Sequence, residues 1–402
     1  MRRLPRNVRA VSLTSFLMDI SSEMVINILP LFLSNVLGVK TGIIGVIEGI
    51  AEAVASVLKL FSGWLSDRLG SRKWLAVLGY GFSALTKPFF YLATSWEAVA
   101  AARWADRVGK GIRTAPRDAL VADSIDKRSR GIAFGFHRAA DTAGATLGLL
   151  IALGIVWVAQ GGGVSLGEDT FRVIVLVSIA PAALAVLALA LLAREVPLTR
   201  GREAPRFAFR QLGKPFMVFM LIVGLFDLGN SSDAFLVLRA QERGLSVAGV
   251  LGMLITFNLI YSLISTPAGA WSDRIGRRQI IIGGWLAYAV IYIGFGLAQT
   301  AWQVWVLYAI YGLYYGLAYG TAKALVADLV PADMRGTAYG SYNAILGILD
   351  FPASAIAGFL WQGIGTWPGF GPSAPFLFGG SLALLAAILL AVSGIGRPVV
   401  RG

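Results

Sequence analysis

The sequence predicts an all-α membrane protein of about twelve spans, built from two repeated halves. Three observations predict it. Of the 402 residues, 56% are hydrophobic and 14% charged, with a mean hydropathy of +0.71. Soluble domains carry roughly 25% charged residues. A water-soluble globule of this size has no way to hide so much apolar surface, so the chain needs a bilayer as its solvent. Apolar runs of about 20 residues, the length that crosses a hydrocarbon core, recur at near-regular intervals. The third observation is internal: motifs of the first half return in the second.

Spans are placed at 11–37, 43–65, 74–94, 96–122, 131–159, 171–193, 213–238, 246–271, 279–298, 302–328, 336–362 and 374–396. The first follows a basic start (Arg2, Arg3, Arg6, Arg9), contains Asp19 and Glu23, and is too long for the apolar region of a cleaved signal. Most connections are very short. The longest is polar and basic, and it divides the chain into a six-span half at 1–193, a linker at 194–212 and a second six-span half at 213–402. The 48 glycines suit helices that approach closely in lipid.

The net charge of +13 is explained by topology. With both ends cytoplasmic, the inner loops and termini hold 22 Lys and Arg, and the outer loops hold four: Lys40, Arg172, Arg239 and Arg243. That asymmetry is the positive-inside pattern of a cell-membrane protein, and the remaining partners of the basic loops are lipids, so nucleic acid binding is not needed. With no cysteine there is no disulfide and no thiolate site. A single histidine, His137, rules out a histidine-cluster metal site. No nucleotide loop and no nucleophile–base pair is recognisable, so no cofactor is expected and an enzyme is disfavoured.

The repeat is specific. Gly63-Trp-Leu-Ser-Asp67-Arg68-Leu-Gly70-Ser-Arg72-Lys73 returns as Gly269-Ala-Trp-Ser-Asp273-Arg274-Ile-Gly276-Arg277-Arg278. Ala119-Leu-Val-Ala-Asp123 returns as Ala324-Leu-Val-Ala-Asp328, Arg130-Gly131 as Arg335-Gly336, and Gly135 as Gly340. A duplicated six-span unit is what a two-bundle transporter requires. These residues resemble the major facilitator superfamily, whose loop motif between the second and third spans reads G-x-x-x-D-[RK]-x-G-[RK]-[RK]. The second copy matches throughout, and the first has Ser71 where a basic residue is usual. The resemblance covers essentially the whole chain. It implies two pseudo-symmetric six-helix bundles around a central cavity lined by the first, fourth, seventh and tenth spans. It also implies that the motif loops latch the bundles, through Gly63, Asp67, Arg68, Gly70 and Arg72 in one copy and Gly269, Asp273, Arg274, Gly276 and Arg277 in the other. The plainer reading makes the basic residues topology determinants alone, which leaves the aspartates and glycines unexplained. One departure stands out. The proton-driven exporters of the family carry G-x-x-x-G-P in the fifth span, whereas here Gly144-Ala-Thr-Leu-Gly148 is followed by Leu149.

Ionisable groups at mid-span cost about 2.5–3.5 kcal/mol each on insertion scales, so they are functional candidates by default. The first-half spans hold eight acids and eight bases; the second-half spans hold four acids (Asp227, Asp233, Asp328, Asp350) and one base, Lys323. On the fourth span Arg103, Arg107, Lys110 and Arg117 share one helical face, with Arg113 close beside it. The corresponding stretch of the tenth span is aromatic, with Tyr308, Tyr311, Tyr314, Tyr315 and Tyr319. One wall is then cationic and the other offers rings and hydroxyls, which suits a small-molecule substrate with a negative group. The candidate substrate contacts are Arg103, Arg107, Lys110, Arg113, Arg117, Arg138, Tyr308, Tyr311, Tyr315 and Lys323. Two alternatives stay open for the stripe: a proton relay with internal pairing, and a neutral scaffold in which the acids and bases pair off. Glu48, Glu52 and Lys59 share a face of the second span and read as inter-helix glue, with Lys87 as partner. Asp19 and Glu23 on the first span, and His137 and Asp141 on the fifth, are the candidates for proton coupling; for His137 a satisfied packing role is the alternative.

The expected activity is alternating-access secondary transport, with proton-coupled export of a small organic solute by a monomer as first choice. Proton-symport uptake of an organic or phosphorylated anion is the alternative. A non-transporting receptor or scaffold is the rival of another class, and the dense intramembrane charge argues against it.

Overall fold

The computed structural model of the chain describes residues 4–126, 129–196, 212–331 and 334–396, and the side chains of these except 265–274, 317–320 and 336. The described residues form fourteen α-helices: α1 Arg6–Ile26, α2 Leu29–Asn35, α3 Thr41–Leu69, α4 Lys73–Leu92, α5 Trp96–Asp123, α6 Arg130–Gln160, α7 Glu168–Leu192, α8 Lys214–Leu228, α9 Ala234–Glu242, α10 Val247–Ile275, α11 Arg277–Leu297, α12 Ala301–Asp328, α13 Arg335–Gln362 and α14 Ala374–Ser393. Seven rods are long and apolar enough to cross a membrane by length and composition alone. α5 fails that test because its charges dilute its hydropathy.

Ten of the expected spans are single helices near the expected limits. The first and seventh are each two helices with a break between them, the first still one apolar stretch over Arg6–Asn35 that is long enough to cross a membrane. In the first, Pro30 lies in the opening turn of α2, where its ring and missing N–H interrupt the ladder. The Asn27 amide donates to the Glu23 carbonyl at 3.0 Å and to its carboxylate at 2.7 Å, meeting acceptors at the break. In the seventh, Gly229 lies flush against Gly379 of α14, where an added Cβ would come within 2.8 Å of a backbone oxygen. Tyr288 Oη donates to the Gly229 carbonyl at 3.3 Å, and the Ser354 hydroxyl accepts from the Ser232 amide at 3.1 Å.

The chain divides into two compact units. The first comprises Met1–Val39, Ile50–Pro205 and Ser246–Leu251, and the second Lys40–Gly49, Arg206–Leu245 and Gly252–Gly402. Most of the linker, 197–211, lies outside the described residues. Within the first unit α4 lies along α5 and α7, and α1 along α6 and α7. Within the second, α11 lies along α12 and α14, and α8 against α13 and α14. The packing plan is the same in both.

Small residues permit these approaches. Gly79 of α4 and Gly109 of α5 face each other so closely that a Cβ on either would meet the other's carbonyl within 2.8 Å. Gly144 and Gly148 of α6 pack on the backbone of Phe16 and Ile20 of α1. The glycine pair of the fifth span thus seats α6 on α1.

The repeated loop residues fasten helix ends. Arg130 Nε donates to the Ala122 carbonyl at 3.1 Å, and Arg335 Nε to the Ala327 carbonyl at 3.2 Å. Each arginine caps the C-terminus of the preceding helix, where unpaired carbonyls and the helix dipole favour a cation. Arg239 is a correction. It is not in an outer loop but on α9, fully buried, paired with Glu242 at 2.8 Å and with its guanidinium donating also to the carbonyls of Phe295, Gly296 and Ala298 and to the Ser373 hydroxyl.

Candidate functional site

The first unit carries a connected belt of charge across α1, α3, α4, α5 and α6. Its densest part is the arginine face of α5. Arg103 is 1% exposed, and its Nη2 lies 3.7 Å from Glu52 Oε1 of α3. Arg107 is also buried and meets the same oxygen at 3.1 Å. Glu52 is further surrounded by Lys110 and Lys59, so one carboxylate serves four bases. Its side chain is 37% exposed, more than the arginines it joins.

Lys87 was expected to partner the acids of the second span. It instead lies fully buried 3.5 Å from Asp106 of α5, because the close α4–α5 approach at Gly79 and Gly109 puts these two side chains into one interior. Asp106 also feels Arg103, Arg107 and Arg113. Arg113 is buried with its guanidinium over the Tyr80 ring, 4.5 Å from the centroid, and donates to the Ser83 hydroxyl at 2.8 Å. Arg103, Arg107 and Arg113 are therefore enclosed within the unit and held by protein groups. Lys110 and Arg117 are half-buried. Arg117 pairs with Asp118 at 2.8 Å and donates to the Ser15 hydroxyl of α1 at 3.2 Å.

The acids of α1 and α6 lie next to this end of the stripe. Asp19 is half-buried and within electrostatic range of Asp141, Glu23, Arg113 and Arg117. Asp141 Oδ2 lies 3.7 Å from Nε2 of the buried His137, and neither imidazole nitrogen makes a hydrogen bond to a described residue. Arg138 is exposed on α6. Asp19, Glu23, His137, Asp141 and Arg117 are thus gathered from three helices.

In the second unit the expected tyrosines form a ring-packed interior. Tyr308, Tyr311 and Tyr314 are buried, and Tyr315 is half-buried. Tyr311 packs on Tyr314, Tyr292 and Phe257, and Tyr288 stacks on Tyr292 at 4.0 Å. Tyr311 Oη donates to Asp233 Oδ1 at 3.3 Å, tying α12 to the start of α9. Lys323 is half-buried on α12.

The loop motifs are ionic knots. Arg72 pairs with Asp67 at 2.9 Å and with Asp123 at the end of α5. Gly70, at φ 64°, supplies the left-handed turn that brings Arg72 back toward Asp67. Arg68 is exposed, 5.4 Å from the Trp64 ring centroid. Sequence reasoning missed Glu195, whose carboxylate accepts from the Arg72 amide at 2.8 Å, the Lys73 amide at 3.0 Å and the Ser71 hydroxyl at 3.0 Å. It caps the N-terminus of α4 from across the chain, and it gives the Ser71 hydroxyl an acceptor. In the second unit Gly276 makes the corresponding turn at φ 103°, and Arg277 pairs with Asp328 at 2.5 Å. The side chains of Asp273 and Arg274, and Gly269, lie outside what the structure describes.

Comparison with known proteins fits this geometry. The profile of the Major Facilitator Superfamily matches residues 11–349 and 217–400. An uncharacterized MFS-type transporter of Methanocaldococcus jannaschii is 34% identical over 395 residues, covering 97% of this chain and 95% of that one. Multidrug resistance protein 1 of Bacillus subtilis is 29% identical over 149 residues, covering 37% of this chain and 36% of that one. The solved structure of the nucleoside transporter NupG superposes with a TM-score of 0.80 at 13% identity, covering 96% of this chain and 99% of that one, a likeness of fold. The chain belongs to the Major Facilitator Superfamily: it is a multi-pass membrane transporter of small molecules and not an enzyme.

Proposed function

We propose that the chain exports a small organic solute bearing a negative group, driven by a proton gradient, from a cell membrane in which both termini are cytoplasmic. The observation that carries this reading is the gathering of Asp19, Asp141 and His137 beside Arg117. Carboxylates and an imidazole next to an arginine exchange protons when the water and charge around them change. Alternating access supplies that change. Within the arginine face the substrate role falls to Lys110 and Arg117, which are half-buried, while Arg103, Arg107 and Arg113 hold the unit together. The export direction is supported by the multidrug resistance relative, and the basic inner loops support the orientation.

The test uses proteoliposomes with an imposed pH step and a panel of fluorescent organic anions and cations. Wild-type protein is expected to move an anion against its gradient, and Asp19→Asn and Asp141→Asn each to lower pH-driven flux at least tenfold while leaving downhill exchange in place. Full pH-driven flux in both variants, and in Glu23→Gln, overturns the coupling assignment. Reversing the pH step reads the uptake direction in the same vesicles.

A further inference from the structure

The connection between α13 and α14 has a composition that water does not favour. Residues 363–373 read Gly-Ile-Gly-Thr-Trp-Pro-Gly-Phe-Gly-Pro-Ser, and none of them is ionisable. Their conformation is nevertheless well specified. The Gly363 amide donates to the Phe359 carbonyl at 2.7 Å, the Trp367 amide to the Ile364 carbonyl at 3.0 Å, and the Phe370 amide back to the Leu360 carbonyl at 2.8 Å. Gly363 has φ 77°, and a Cβ there would collide with the Trp367 carbonyl. At the far end the Ser373 hydroxyl donates to the Gly296 carbonyl at 2.6 Å and so ties the hairpin to α11.

This fixed backbone leaves large apolar side chains uncovered. Ile364 is 60% exposed, Trp367 39% and Phe370 74%, and the two rings meet edge to face with centroids 5.3 Å apart. An exposed apolar cluster on an ordered loop marks a contact surface.

The position of the hairpin along the helices says what covers it. Both flanking helices are long and apolar enough to cross a membrane. α14 has 20 residues and no ionisable one, and it rises about 30 Å, the thickness of a hydrocarbon core. Near its C-terminal end Arg278 donates to the carbonyls of Leu390 and Ala391, at 3.4 and 2.5 Å, which marks one membrane boundary with a charge. The hairpin lies at the other end of α14, one core thickness away, at the level of the headgroups. Tryptophan is enriched at that level, where its ring meets acyl chains and its N–H meets polar groups. The corresponding connection of the first unit, between α6 and α7, ends differently. α7 opens on Glu168 and Asp169, and the exposed Glu168 pairs with Arg172 at 2.7 Å. α14 opens on Ala374, Pro375 and Phe376 in their place.

We propose that the 363–373 hairpin is a lipid-docking surface, with Ile364, Trp367 and Phe370 seated at the boundary between phospholipid headgroups and acyl chains. The proposal uses the membrane fold alone and is independent of the export reading.

The chain has no cysteine, so Ile364→Cys and Phe370→Cys each give a single site for a nitroxide label in the full-length protein. The labelled proteins are reconstituted in phosphatidylcholine vesicles. Electron spin resonance then reads collisions of the label with oxygen, which concentrates in lipid, and with a nickel chelate, which stays in water. Glu168→Cys supplies the water-facing comparison. Labels at 364 and 370 are expected to show several-fold fewer nickel collisions than the label at 168, and more oxygen collisions. If one variant fails to fold, the other decides. Nickel collisions as frequent as at 168 place the hairpin in water and overturn the proposal. Exclusion of both reagents shows that protein covers the surface, a second copy of the chain included, and overturns it as well.

Discussion

The two units use one packing plan and fill it with opposite chemistry. In the first, Lys87, Asp106 and Arg113 lie buried between α4 and α5, and Arg103 and Arg107 lie buried toward Glu52 of α3. In the second, the matching interior between α11 and α12 holds Tyr288, Tyr292, Tyr308, Tyr311 and Tyr314. Charges satisfy one another at fixed distances and tolerate the loss of a partner poorly. Rings satisfy one another through area and quadrupole, and a lost hydroxyl leaves the contact surface almost unchanged. Duplication thus preserved backbone geometry while the two interiors came to differ in how sharply each residue depends on its neighbours.

The comparison breaks most readily at Lys87. Asp106→Asn leaves a buried lysine among arginines, and we expect a loss of about 3–5 kcal/mol, read as a lowered melting temperature in detergent. Replacing both members, Lys87→Met with Asp106→Leu, is expected to recover most of it. Equal damage from the single and double variants would show that the pair is not the unit of stability. A smaller effect is expected at the loop knot. Glu195→Ala removes the acceptor of two backbone amides and a hydroxyl, at about 1–3 kcal/mol, and Glu195→Gln is expected to restore part of that. The ring-packed interior should respond less. Tyr311→Phe deletes one hydrogen bond to Asp233 and is expected to cost about 0.5–1.5 kcal/mol in the same melting assay. A loss as large as that of Asp106→Asn would erase the contrast between the units. Smallest are the helix caps, where Arg130→Ala and Arg335→Ala are each expected to cost about 0.3–1 kcal/mol, and equally, because the two bonds are alike.

The spans were legible because apolar length and glycine content report directly on the bilayer, and the repeat located both loop motifs. The breaks in the first and seventh spans were not. A window of about 20 residues averages over Asn27 to Pro30 and over Gly229 to Asp233, although the proline and the Asn-Ser-Ser-Asp run were there to be read as local interruptions. Arg239 reads as a loop residue because a charge count has no means of seeing the carbonyls at the end of α11 that accept from it. In the site, the residue types and their helices were legible from spacing, but the pairing was not. Eight acids and eight bases on five helices admit many pairings, and the depth at which Gly79 meets Gly109 selects Lys87 with Asp106. Glu195 was hidden in the polar linker, where its charge looked like solvated loop.

Arg239 also puts a clock into the making of the protein. Glu242, three residues on in the same helix, pairs with it at 2.8 Å, but its other acceptors follow it in the chain by 56 residues at Phe295, 59 at Ala298 and 134 at Ser373. A ribosome threading this chain into a bilayer delivers the guanidinium long before those groups exist. Until then Glu242 balances the charge from within α9, while the rest of the guanidinium fork lacks its later carbonyl and hydroxyl acceptors. The arrival of α11 and Ser373 then completes the hydrogen bonds of the fork and ties α9 to the later helices.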